Sequence, residues 1–243
     1  MSLLECHALN MSFGGARVLI DVDITAEAGA ITGLIGPNGA GKTTLFNVIT
    51  GLLHPTSGTV LLDGRNITGL KPFKRSRLGV ARTFQRLELF TSLSVRDNIR
   101  VAGEIGAKWQ RNSTDLTAET DRVLDQLGIS DLADRDVTEI PTGMARRVEV
   151  GRALMTRPKI LLLDEPASGQ NEDETDEFAE LLLELCAAGT SILLVEHDVA
   201  LVMKVCSFVQ VLDFGVVIAT GTPEEIQSNS LVLDAYLGAE QTP

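Results

Sequence analysis

No run in this 243-residue sequence approaches the roughly 18 consecutive apolar residues that carry a helix through a bilayer, so the chain is not expected to cross a membrane by itself. That holds even though its mean hydropathy of +0.15 is high for a soluble protein. Aromatic residues make up only 4% of the chain, too few for a row of base-stacking platforms. Bases are outnumbered as well: 21 Lys and Arg stand against 33 Asp and Glu, a formal charge of −12. Phosphate backbones and anionic lipid repel such a chain, and nucleic acid is not an expected partner. Cysteine is scarce and odd in number. Cys6, Cys186 and Cys206 lie far apart with no C-x-x-C pair, which points to buried thiols acting as small hydrophobes. His7, His54 and His197 are equally scattered, and no H-E-x-x-H or carboxylate cluster suggests a structural metal. The first ten residues carry Glu5 and His7 but no basic segment followed by an apolar one, so no secretory leader is read there and the cytosol is the expected compartment.

What is present is the composition of a folded protein, 44% hydrophobic and 22% charged. The length exceeds a usual domain of about 150 residues and falls short of two, so one large α/β domain, or a core with a small appendage, is expected. Short β-type runs at 3–9, 18–24, 30–35, 59–62, 80–84, 160–163, 191–195 and 208–212 alternate with helical patterns. Ile160-Leu161-Leu162-Leu163 and Ile192-Leu193-Leu194-Val195 are apolar without alternation, as strands buried on both faces of a helix-covered sheet are. Asn171 with Glu174 three residues on is a capping-box signal; Phe178, Leu181, Leu182 and Leu185 follow at helical spacing, and Gly189 stands past the end. From about 90 to 140 the character changes to a polar stretch at 110–120 followed by Val123, Leu124, Leu127 and Ile129 at helical spacing, read as a helical insertion. A hairpin is expected across 209–219, turning at Asp213-Phe214-Gly215, with a final helix at 223–228.

A chain this acidic needs a local device to hold phosphate, and one is present. Gly36-Pro37-Asn38-Gly39-Ala40-Gly41-Lys42-Thr43 fits G-x-x-x-x-G-K-[ST], with an apolar strand before it and Leu45, Phe46 and Ile49 at helical spacing after it. The glycines let backbone N–H groups converge on phosphates, the helix N-terminus adds partial positive charge, Lys42 reaches the outer phosphates and the Thr43 hydroxyl is placed for Mg²⁺. Such a loop needs a metal carboxylate at the end of a hydrophobic strand. Ile160 to Leu163 followed by Asp164 and Glu165 supplies it, with Asp164 for the metal and Glu165 beside the γ-phosphate to polarise an attacking water. The chemistry expected is phosphoryl transfer to water.

With these elements the chain resembles the ATP-binding cassette family, the nucleotide-binding subunits of ABC transporters, over nearly its whole length. Gln85 in Ala81-Arg82-Thr83-Phe84-Gln85 stands at the Q-loop position, and His197 in Val195-Glu196-His197-Asp198 at that of the switch histidine. Residues 165–171 are similar to the D-loop, and Phe13, with Val18 nearby, to the aromatic that stacks on adenine. The signature L-S-G-G-Q appears as Ile140-Pro141-Thr142-Gly143-Met144; Gly143 and the following helix are kept, while Pro141 cannot supply the usual serine hydroxyl. Within the family, Phe13-Gly14-Gly15, the loop continued through Thr44-Leu45-Phe46-Asn47, Ala81 to Gln85 with Leu89-Phe90, and Gly221-Thr222-Pro223 leading to Tyr236-Leu237-Gly238 look like the branched-chain amino acid uptake branch, where the signature also departs from L-S-G-G-Q.

The resemblance implies an α/β fold, a P-loop NTPase (RecA-like) core with an antiparallel β subdomain and a helical insertion, in one domain over 1–243: core over 1–89 and 150–243, helical subdomain over 90–149. It implies Glu165, His197 and Gln85 as catalytic residues and Mg²⁺ held by Thr43, Gln85 and Asp164. ATP is held by Phe13, Val18, the loop from Gly36 through Thr44, Asp164 and, on the signature side, Thr142 and Gly143. It further implies an importer ATPase, pairing with an identical or related ATPase subunit under two transmembrane permease subunits, fed by a substrate-binding protein. The expected location is cytoplasmic, peripheral on the inner face of the cell membrane. Importers of urea, amides or other substrates, and soluble cassette ATPases, are the alternatives. Asp213-Phe214-Gly215 reads as a hairpin turn rather than a kinase metal loop, since no accompanying kinase motif is found. The bases Lys71, Lys74, Arg75, Arg77, Arg82 and Arg86 read as a solvated face near the groove for the membrane subunits.

Overall fold

The computed structural model describes residues 2–110 and 115–239, so the polar stretch at 110–120 lies partly outside them. The chain opens with a hairpin, β1 (Ser2–Phe13) and β2 (Ala16–Glu27), each strand longer than its apolar run suggested. Gly14 and Gly15 both take positive φ, which lets pairing continue to the turn at Phe13 and Ala16. After β3 (Ile31–Ile35) come α1 (Lys42–Thr50), β4 (Ser57–Leu62) and the short β5 (Arg65–Asn66). Next are α2 (Pro72–Leu78), opened by a proline and closed at Gly79, and β6 (Val80–Arg82). The helical region follows: α3 (Val95–Gln110), α4 (Leu116–Gln126), capped by Asp115, and α5 (Thr142–Leu154). The second half alternates β7 (Ile160–Asp164), α6 (Glu172–Ala187), β8 (Ser191–Val195), α7 (Val199–Val205), β9 (Phe208–Asp213) and β10 (Val216–Gly221). It ends in α8 (Pro223–Gln227) and α9 (Ser230–Ala239).

Two sheets result. The first, in order β2-β1-β4-β5, is antiparallel; the second, β10-β9-β3-β8-β7-β6, is parallel except for its β10 edge. Strands β3, β7 and β8 are buried at every residue, and strand parity divides their side chains between two cores. Ile31, Ile35, Leu161, Leu163, Ile192 and Leu194 join the helical layer, whereas Leu34, Ile160, Leu162, Leu193 and Val195 pack with α1 and the antiparallel sheet. Both faces being covered, the carboxyl ends of the parallel strands are where loops are free to form a site.

The capping box at Asn171 and Glu174 forms as expected, Gly189 follows the end of α6 with positive φ, and the expected hairpin turns at Phe214 and Gly215, both with positive φ, while Asp213 pairs with Val216. Other expectations need correction. β6 stops at Arg82 rather than reaching 84, and α9 follows the helix at 223 although no helix was read there. The basic cluster is not a solvated face throughout. Arg75 is 1% exposed and donates to the carbonyls of Val48, Ile49, Thr68 and Leu70, so it satisfies the end of α1. Arg82 is buried too, with its side chain 6% exposed.

Candidate nucleotide site

The loop from β3 to α1 is shaped by glycines that nothing larger could replace. A Cβ on Gly36 would lie 1.9 Å from the carbonyl oxygen of Leu212, and one on Gly41, at φ +109°, would lie 3.0 Å from that of Val18. Lys42 is buried, with its Nζ donating to the carbonyls of Gly36 (2.6 Å) and Pro37 (3.0 Å). Burial pulls its pKa below the usual lysine range, opposed by the charges of Glu165 and Asp164. In front of the loop lies a cavity of about 390 Å³ lined by Val18, residues 38–44, Gln85 and Glu165. Gly36 and Pro37 stand behind it as the carbonyl partners of Lys42. Tyr236 on α9 is partly buried against the core near Gly36; burial pushes its phenol up and the backbone N–H of Gly36 opposes that shift.

Asp164 ends β7 at 3% exposure, its Oδ2 2.6 Å from Arg82 Nη2. Glu165, one residue on, turns to φ +50° as its N–H donates to Val195 O at 2.8 Å. This left-handed turn at a non-glycine residue aims the second carboxylate away from the first. Gln85 Nε2 donates to Glu165 Oε2 at 2.7 Å, and His197 Nε2 lies 2.5 Å from Glu165 Oε1. The structure therefore brings together Gln85, Glu165 and His197 from the ends of three parallel strands, beside Lys42 and Thr43. The predicted residues Phe13, Thr142, Gly143 and Asp164 do not line the cavity, and Asp164, next to Glu165 in the chain, is paired with Arg82. Phe13 is half-exposed at the tip of the first hairpin and does not line the cavity. Thr142 and Gly143 lie at the start of α5, where Gly143 faces Glu174 and Gln170.

Comparison with known proteins agrees with this geometry. A family profile described as "ABC transporter" matches residues 19–168, and one described as "Branched-chain amino acid ATP-binding cassette transporter" matches residues 216–242. A high-affinity branched-chain amino acid transport ATP-binding protein, BraF of Pseudomonas aeruginosa, is 38% identical over 97% of this chain and 98% of its own length. LivG of Salmonella typhimurium, named in the same way, is 40% identical over the same shares. A crystal structure of the ADP conformation of an ATP-binding cassette from an ABC transporter superposes with a TM-score of 0.88 at 31% identity, covering 98% of this chain and 99% of the other.

The chain belongs to the ATP-binding cassette family of ABC transporters. It is an α/β P-loop NTPase, it binds nucleotide, and its activity is ATP hydrolysis as the ATPase of an ABC transporter. No helix among the described residues is long and apolar enough to cross a membrane.

Several residues of the cassette that shape the site went unassigned in the sequence. Glu196, 4% exposed, accepts from the N–H groups of Ala167 (2.7 Å) and His197 (3.1 Å), tying the D-loop to the switch loop. Burial raises its pKa and these N–H groups counter the rise. Its signal was a carboxylate ending a continuous apolar strand. Arg146 on α5 donates to the carbonyls of Phe84 (3.1 Å) and Gln85 (2.6 Å) and pairs with Glu149 at 3.1 Å, while Glu149 accepts from Glu88 N–H at 2.7 Å. The helix that begins with the signature thus grips the Q-loop. For Mg²⁺, the residues the resemblance implies would offer a hydroxyl on Thr43, an amide oxygen on Gln85 and a carboxylate on Asp164. These are hard oxygen donors with few charges, as suits an ion that keeps waters and takes phosphate oxygens as its remaining ligands. No cluster of three or more His, Cys, Asp or Glu able to hold a metal by itself occurs among the described residues.

Proposed function

We propose that this cassette powers the import of branched-chain or other hydrophobic amino acids, working with a second cassette, identical or related, beneath two permease subunits fed by a substrate-binding protein. The observation that carries the catalytic part is the placement of Glu165, with both carboxylate oxygens engaged by Gln85 and His197 beside the phosphate loop. The transport part rests on the relatives and on the match of residues 216–242. The division into a core of 1–89 and 150–243 and a helical subdomain of 90–149 belongs to this reading, with α5 running unbroken across the second boundary. So do ATP contacts from Phe13 to adenine and from Thr142 and Gly143 to the nucleotide of the opposite cassette. A cytoplasmic location, peripheral on the inner membrane face, follows from the permease partnership.

The phosphates lie along the N–H groups of residues 38–44 and the N-terminus of α1, and Lys42 exchanges its carbonyl partners for phosphate oxygens. Thr43, Gln85 and Asp164 would hold Mg²⁺, which, when bound, neutralises charge on the β- and γ-phosphates. Glu165 takes a proton from the attacking water as its oxygen bonds to the γ-phosphorus, and the bond from that phosphorus to the bridging oxygen of ADP breaks. His197 and Gln85 keep the carboxylate in place. Residues Phe73, Phe84, Glu88 and Arg152 line an apolar groove of about 380 Å³ beside the Q-loop, suited to a permease segment. Purification from detergent-solubilised membranes, identification of the associated subunits and uptake assays with labelled leucine test the proposal. Permease subunits and ATP-dependent leucine uptake are expected. Uptake of urea or amides alone would overturn the substrate, and recovery of ribosomes or DNA without permeases would overturn the transport role.

A further inference from the structure

Arg82 is the most constrained cation near the site. It ends β6, its side chain is 6% exposed, and its two terminal nitrogens are divided between different elements. Nη2 lies 2.6 Å from Asp164 Oδ2 on β7, and Nη1 donates to Asn47 Oδ1 on α1 at 2.6 Å. The guanidinium also lies against the rings of Phe46 and Phe84, at 5.4 and 5.0 Å from their centroids, and its Nε is buried with no acceptor. Leaving one donor unsatisfied costs free energy, so the orientation is set by the fork, not by general solvation.

Asn47 follows Thr43 by four residues, one helical turn along the same face of α1. The fork of Arg82 therefore joins the helix that carries the hydroxyl ligand to the strand that carries the carboxylate ligand. It engages Oδ2 of Asp164, so the carboxylate would keep its other oxygen for a metal. A lysine could meet either partner but could not span both with fixed geometry.

We propose that Arg82 is a positioning residue for the Mg²⁺ site, clamping Asp164 and α1 at the separation that lets Asp164 and Thr43 serve one ion. The proposal rests on the nucleotide-site reading above. An arginine so close to the carboxylate could instead act as a competitor that excludes the metal. Engagement of a single oxygen and the second anchor on α1 favour the clamp, and the two roles predict opposite outcomes.

The test is equilibrium binding of a fluorescent ATP analogue to the full chain, in EDTA and across a Mg²⁺ series. R82M is expected to bind the analogue in EDTA within about twofold of wild type, because the loop amides and Lys42 remain. It should need about tenfold more Mg²⁺ to reach the high-affinity complex, the scale of loss when a partner orienting a ligand is removed. R82K, which keeps a cation at Oδ2, should recover part of that response. N47A, which removes only the second anchor, should shift it in the same direction by less and serves if R82M does not fold. An unchanged Mg²⁺ requirement, a lowered one, or an equal loss with and without Mg²⁺ would each overturn the clamp. Failure of the wild-type chain to bind the analogue at all would instead overturn the nucleotide-site reading.

Discussion

Lys42 and Asp164, the buried floor groups, and Glu165 and His197, the more exposed rim groups, are proposed to form one site around a cavity that Lys42 and Glu165 line, yet they are built in contrasting ways. The floor groups are nearly sealed from solvent and held by backbone carbonyls or by a forked guanidinium. On the rim, His197 is 43% exposed and Glu165 is 13% exposed, and they hold each other and Gln85 through side-chain contacts on loops. Asp164 and Glu165 are consecutive, so the difference arises from one backbone turn at φ +50° and not from distance in the chain. The contrast suits the division of labour in phosphoryl transfer, where bound phosphates need a fixed cradle and the group that handles water must respond to closure. It also teaches where damage should register: rim changes should reduce turnover at intact affinity, and floor changes should reduce binding or stability.

The largest expected effect is E165Q. Removing the proposed general base while keeping shape should lower ATP turnover about 10³-fold with nucleotide affinity within a few-fold of wild type, measured by phosphate release and equilibrium binding. Turnover at the wild-type rate would dissolve the rim as a catalytic region. Next is R75A on the floor side, at the far end of α1. It leaves four carbonyls without their shared donor and should cost about 3 kcal/mol in urea unfolding, with turnover per folded molecule nearly unchanged. A full loss of turnover at unchanged stability would mean that α1 is not simply scaffold.

How much of this was legible in the sequence depends on the reach of each interaction. The phosphate loop and the Asp164-Glu165 pair were readable because motif and function are contiguous, and the strand before each is apolar without interruption. Asn171 with Glu174, and Asp213 to Val216, are likewise local devices whose partners lie within four residues. The fork of Arg82 was not readable: its partners are 35 and 82 positions away, and in sequence it is one more base in a basic stretch. Arg75 is hidden for the same reason. Helix α9 escaped because Leu231 and Leu233 stay exposed while Val232 between them is buried, so its apolar run shows no helical spacing. The meeting of Gln85, Glu165 and His197 came from resemblance, since only the parallel order of β6, β7 and β8 makes their loops neighbours.

H197A sharpens the comparison from the rim side with a smaller effect. The imidazole touches the carboxylate proposed to handle water, so its loss leaves the buried contacts of Lys42 and Asp164 in place and the Gln85 bond to Glu165 intact. Turnover should fall about 10²-fold, as for removal of one preorganised polar group at a reacting centre. Nucleotide affinity should stay within about twofold, and the unfolding midpoint should shift by no more than a surface substitution does, about 0.5 kcal/mol. Combining H197A with Q85A frees both oxygens of Glu165, so the double variant should lose less than the product of the single losses, because both act through one carboxylate. Independent, multiplying losses would mean that Gln85 and His197 act on the nucleotide separately, and the rim would then be two devices instead of one.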